Sequence, residues 1–201
     1  MILMINCSYK GNNSNSRYFL GILEQELNAI SKEPCRHLDI RSILTGKFED
    51  FLHELNEADA LVIGAPLYVD GLPAQAVRLL ELLQEHAQGN YSHLPVYVVS
   101  NLGFYEPQQI CNLFSIVENW CARMGMKYGG GIAIGAGPMI RILKDMPLKC
   151  GLNKKIGIGF ENLAKAISAH ASVGNLYCKT MIPRWVYKAA AHRNFRKELQ
   201  N

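Results

Sequence analysis

The sequence has no stretch approaching the run of about 18 apolar residues that a membrane helix requires, and its opening, MILMINCSYK, has no basic leader. A secreted or membrane-spanning chain is therefore not expected. Compact cysteine spacing is missing as well. The six cysteines (Cys7, Cys35, Cys111, Cys121, Cys150 and Cys178) are scattered, with no CxxC pair. That pattern argues against a zinc site and reads as free thiols in a reducing cytoplasm. Three nucleotide and nucleophile signatures are also missing: GxGxxG, GxxxxGK[ST] and GxSxG. Their absence argues against a dinucleotide fingerprint, a nucleoside triphosphate loop and a hydrolase elbow. A receiver domain would need acids at the ends of strands 1 and 3, where Asn6 and Cys7, then Ala65 and Pro66, stand instead.

What is present is an ordinary globular composition, 49% hydrophobic and 19% charged over 201 residues, enough to bury a core without disulfide or metal staples. The net charge of +4 is unevenly spread. Residues 179 to 201 carry six Lys or Arg against the single acid Glu198, a net +5, which leaves −1 for the rest. The body is neutral and the tail is basic.

Short apolar runs alternate with helical periodicity along the chain. MILMIN reads as a buried strand. Asn15 or Ser16 then caps a helix whose stripe is Phe19, Leu20, Leu23, Leu27 and Ile30. CRHLDI after Pro34 is a weaker strand, and Phe48, Phe51, Leu52 and Leu55 mark a short helix. DALVIGAP (59–66) and LPVYVVSN (94–101) are strands, and Leu72 to Gln88 and Pro107 to Met124 are helices. YGGGIAIGAG (128–137) reads as a glycine-rich strand lying close to a neighbouring backbone. A loop with room for a short helix is expected from there through Lys155, followed by helices over Glu161 to Ala171 and Arg184 to Leu199. Strands separated by helices imply a parallel sheet covered on both faces.

In such a sheet, ligands bind beyond the carboxyl ends of the strands. There the first strand is followed by CSYKGNNSNSR, which holds three serines, three asparagines, Lys10 and no acid. Backbone N–H groups at the entrance of a helix favour an anion. Ser8, Ser14, Ser16, Asn13 and Asn15 add neutral donors, and Lys10 adds charge, so the loop suits a monophosphate held without metal.

Three segments together resemble the flavodoxin-like NAD(P)H-dependent FMN reductase family: SxxxxxSxS at 8–16, LVIGAPLYVDGLPAQAVRLLELL at 61–83 and SNLGFYEPQQ at 100–109. Gly64, Pro66, Tyr68 and Pro73 match the family's strand 3 pattern, while Cys7 and Tyr9 depart from its usual glycine and proline. The resemblance covers roughly residues 1 to 135 and implies a doubly wound five-stranded parallel sheet of order 2-1-3-4-5 with helices on both faces; the domain is expected over residues 1 to 178, followed by a basic helical tail over 179 to 201. It implies FMN and NAD(P)H as cofactors. Ser8, Lys10, Ser14, Asn15 and Ser16 would take the FMN phosphate. Pro66, Leu67, Tyr68, Val69, Asp70 and Gly71 would line one side of the isoalloxazine ring, and Asn101, Leu102, Gly103, Phe104 and Glu106 the other.

By the same resemblance, hydride passes from NAD(P)H to flavin and then to a small acceptor such as a flavin or quinone, in a ping-pong cycle. No protein nucleophile or metal is expected to be essential. A homodimer is expected, with no nucleic-acid or membrane partner. Two alternatives stay open: a one-electron carrier of the flavodoxin type, which would favour an acidic face over this neutral body, and a flavin-free binding module working through the tail.

Overall fold

The computed structural model describes residues 1–142, 146 and 148–198. Six strands form one parallel sheet in the order β2-β1-β3-β4-β5-β6. They are β1 (Ile2–Asn6), β2 (Cys35–Asp39), β3 (Ala60–Pro66), β4 (Pro95–Asn101), β5 (Lys127–Ile134) and β6 (Gly174–Cys178). The helices are α1 (Asn15–Ile30), α2 (Ile40–Leu44), α3 (Phe48–Asn56), α4 (Ala74–Ala87), α5 (Cys111–Met124), α6 (Gly137–Ile142), α7 (Lys154–Ser168) and α8 (Arg184–Glu198). The expected end of the last helix at Leu199 lies outside the described residues.

Alternation along the strands builds two cores. Leu3 and Ile5 of β1 face α2 to α5, joining Phe51, Leu79, Leu83, Phe114 and Trp120, while Ile2 and Met4 face α1 and α7. On that second side the rings of Phe19 and Phe160 stack at 6.1 Å. Every residue of β1, β3 and β4 is buried, which is why each reads as an unbroken apolar run.

The sheet differs from the expected five strands by one. β6 was not visible in the sequence because GNLYC is an edge strand, exposed along most of its length, with neither an apolar run nor an alternation to mark it. It pairs with β5 from Gly130↔Gly174 to Ile134↔Cys178. Gly130 makes this possible: its φ is +101°, and a Cβ there would stand 2.1 Å from the carbonyl oxygen of Gly174. The glycine-rich strand thus meets a neighbouring backbone, one the sequence did not identify. Two further differences are α2, which was not expected, and α7, which begins at Lys154 rather than Glu161. The cap of α1 is Ser14, whose side chain accepts from the Arg17 amide, and not Asn15 or Ser16.

Candidate functional site

The carboxyl ends of β1, β3 and β4 lie side by side, and the loops that leave them converge. The first loop is pinned by Asn6. Its amide nitrogen donates to the Gly11 carbonyl at 3.0 Å, and its Oδ1 accepts from the Ser8 amide and the Ser14 hydroxyl, both at 3.2 Å. One buried side chain therefore sets the path of eight residues. Ser14 is fully engaged, since its oxygen also accepts from Arg17 N at 3.0 Å. It caps α1 and is not among the residues lining the cavity below.

Ser8 and Ser16 are placed differently. Both are buried, and both line a cavity of about 160 Å³ together with Lys10 and Asn15. Ser16 Oγ accepts from Asn101 Nδ2 at 2.9 Å, and Ser8 Oγ accepts from Lys10 N at 3.4 Å. Neither hydroxyl donates to another described residue, so each keeps a proton for a ligand. Pro66, Leu67 and Tyr68 of the second loop and Asn101, Leu102 and Gly103 of the third complete the cavity.

The remaining expected ring contacts stand outside it. Tyr68 and Gly71 exchange two backbone hydrogen bonds of 3.0 Å, which closes a two-residue turn with Val69 and Asp70 at its tip. Both tip residues have positive φ, 45° and 61°, and Val69 is fully exposed. For a β-branched residue that conformation is strained. Phe104 is 63% exposed. Glu106 pairs with Lys179 at 2.7 Å, and the Lys179 ammonium sits 4.5 Å from the centre of the Tyr105 ring.

Three contributors were not foreseen. Pro138, at the start of α6, lines the cavity. Arg141, one turn later, donates to the Asn13 carbonyl and approaches Asn15 Oδ1 at 3.4 Å, bringing a cation to the first loop. Tyr187 of α8 donates its hydroxyl to the Gly103 carbonyl, with its ring 5.7 Å from that of Tyr105. No local pattern marks these residues, because only the packing of α6 and α8 brings them here.

The chemistry available is that of binding. Burial, with a lesser push from Asp39, drives the Cys7 thiol up to about 12, so it holds its proton and is no nucleophile at neutral pH. Among the described residues no group of three or more His, Cys, Asp or Glu could hold a metal ion, and no helix is long and apolar enough to cross a membrane. What the cavity offers is the hydroxyl donors of Ser8 and Ser16 and the cation of Lys10, together with the apolar residues Pro66, Leu67, Tyr68, Leu102 and Pro138.

Solved structures with the same architecture include an NADH:FMN oxidoreductase in its apo form, at TM-score 0.68 and 14% identity over 86% of this chain and 90% of that one. A flavodoxin from Streptococcus pneumonia TIGR4 aligns at TM-score 0.59 and 14% identity, over 85% and 99%. The chain has a flavodoxin-like fold. An NADPH-quinone reductase from P. pentosaceus shares it at TM-score 0.56 and 15% identity, over 81% and 95%. No protein-family model matches the chain, and neither does any curated protein. In this flavodoxin-like sheet the cavity lies beside the β1 and β3 ends, where the strand order reverses and where FMN sits in flavodoxin itself.

Proposed function

We propose that the chain is an FMN-dependent NAD(P)H oxidoreductase that passes electrons to a small acceptor such as a flavin or quinone. The observation that carries this reading is the pairing of Ser8 and Ser16, two buried hydroxyls with protons to give, in one cavity with Tyr68 and Gly103. A phosphate fits the first pair and a flat ring edge fits the second. Gly103 has nothing within 4 Å of where a Cβ would stand, so a ring can approach its backbone closely. The descriptions of two similar solved structures, an NADH:FMN oxidoreductase and an NADPH-quinone reductase, accord with this reading.

In this account Ser8, Ser16, Asn15 and Lys10 hold the phosphate, and Arg141 steadies their loop from outside. Ser14 acts indirectly, by capping α1 and holding Asn6. Pro66 to Gly71, with Asn101, Leu102, Gly103, Phe104 and Glu106, flank the ring, with Tyr68 and Phe104 as apolar walls and backbone groups as its polar partners. When bound, FMN supplies the redox chemistry, accepting hydride from NAD(P)H and passing two electrons on. The protein places donor and acceptor in the same space in turn, which gives ping-pong kinetics.

The cavity, at about 160 Å³, is smaller than the roughly 300–1,000 Å³ of a small-molecule site. Val69 and Phe104, on the loops that carry Tyr68 and Gly103, and Ile116, next to Gly71, are exposed, and we assign their cover to a second copy of the chain in a homodimer. Quenching of FMN fluorescence on titration with the purified protein tests the cofactor assignment. Saturable quenching at stoichiometric protein supports it, and unchanged emission removes it. Sedimentation at twice the chain mass supports the dimer, and the monomer mass contradicts it.

A further inference from the structure

The basic tail is not a free arm. Tyr187 of α8 donates to Gly103, Tyr105 donates to the Ile182 carbonyl at 2.7 Å, and Lys179 pairs with Glu106, so the tail is fastened to the third loop at three points. Beyond those points α8 turns a face of methyl groups, Ala189 and Ala190, toward α6. Side chains that short do not fill the gap between the two helices.

A second cleft results, of about 720 Å³. Pro138, Met139 and Ile142 form one wall, and Ile182, Val186 and Tyr187 the other, with Arg193 as the one charged residue among those described that line it. Its volume falls within the roughly 300–1,000 Å³ of small-molecule sites, and its apolar lining with few polar groups is what such sites show. The two clefts also share parts. Pro138 lines both, and Tyr187 of the larger is bonded to Gly103 of the smaller.

The geometry points to the cleft between α6 and α8 as the seat for the apolar body of the electron acceptor, whose reducible ring reaches past Pro138 to the mouth of the cavity at the β1, β3 and β4 ends. This rests on the reductase reading above. It specifies the class of acceptor: a planar reducible head carrying an apolar appendage, an aliphatic chain or a second aromatic ring. Arg193 and the net +5 of the tail favour an acidic group on that appendage. In the overall exchange NAD(P)H and one proton supply two electrons and two protons. The acceptor leaves as its dihydro form and the nicotinamide leaves oxidised.

The test uses the full chain and two variants, Ala190→Phe and Met139→Trp, which fill the cleft from opposite walls and leave the smaller cavity untouched. Unchanged circular dichroism establishes that each is folded. Anilinonaphthalene sulfonate, apolar and anionic, is the probe. Its emission rises and saturates with the parent chain, and its affinity falls at least about tenfold in both variants, while FMN affinity is retained. In turnover, the KM for a naphthoquinone with an isoprenoid chain rises in both variants by at least about tenfold relative to the KM for menadione. Equal dye affinity in parent and variants, or equal loss with both quinones, overturns the assignment of the cleft. If FMN fails to bind the parent chain, the reductase reading falls and the acceptor assignment falls with it; if FMN binds and the dye is indifferent to the variants, only the cleft assignment falls.

Discussion

Asn101 Nδ2 donates to Ser16 Oγ at 2.9 Å, which ties the end of β4 to the first turn of α1 across the end of β3. The contact uses a lone pair of the serine oxygen and leaves its proton for another acceptor. It also distinguishes Ser16 from Ser14, two residues away, whose hydroxyl is spent on Asn6 and the Arg17 amide. Serines that look equivalent in the sequence thus do different work.

Their substitutions separate accordingly. Ser8→Ala and Ser16→Ala each remove a donor to a charged group, a loss of roughly 1.5–3 kcal/mol, or about 10- to 150-fold in FMN affinity. Ser14→Ala removes a helix cap, costs about 1 kcal/mol of stability, and changes FMN affinity by less than about threefold. Fluorescence titration and urea unfolding of the three variants check this. An affinity loss confined to Ser14→Ala would mean that the phosphate is held elsewhere.

His37 gives the fold a pH dependence. Its ring lies between Arg17, whose Nη1 is 2.9 Å from Nδ1, and Glu24, whose Oε2 is 2.9 Å from Nε2. Burial lowers its affinity for a proton and Arg17 adds to that, while Glu24 opposes both. The folded state therefore protonates at lower pH than the unfolded chain, whose imidazole titrates at the ordinary 6.5. This contribution is fully present above that value and is lost as pH falls from it toward the folded value. The melting temperature of the parent chain should drop between about pH 7 and about pH 5 more steeply than that of His37→Gln. Parallel profiles would contradict this.

Gly130 and Gly21 make opposite predictions. Gly130→Ala combines a positive φ with a 2.1 Å clash against the Gly174 carbonyl and should cost about 2–4 kcal/mol, through loss of the β5 and β6 pairing. Gly21 lies inside α1 with open space where a Cβ would stand, so Gly21→Ala should gain up to about 1 kcal/mol. Urea midpoints for both variants give the signs directly.

The parts of the fold that were readable from sequence are those where burial imposes a pattern. β1, β3 and β4 are covered on both faces and become apolar runs, and α1, α4 and α5 each bury one stripe. β6 packs Leu176 and Cys178 onto the core and is otherwise exposed, too short a covered face to show in the sequence. The start of α7, KKIGIGF, carries glycines that weaken helix propensity, yet Gly157 is required there: a Cβ would stand 2.3 Å from the Leu148 carbonyl oxygen. Packing overrides propensity at that point. At the site, Ser8 and Ser16 follow a readable strand, whereas Pro138, Arg141 and Tyr187 arrive from segments more than 120 residues away from Ser8 and Ser16 in the chain, which only the completed sheet brings close.

The most direct measurement is the visible absorption spectrum of the purified protein with FMN, recorded without air before and after NADPH and then NADH. The flavin bands should shift on binding and bleach when one of the two nicotinamides is added. Bound flavin that keeps its bands with both donors would contradict the reductase and leave a one-electron carrier, and a protein that does not perturb the FMN spectrum would contradict the cofactor site itself.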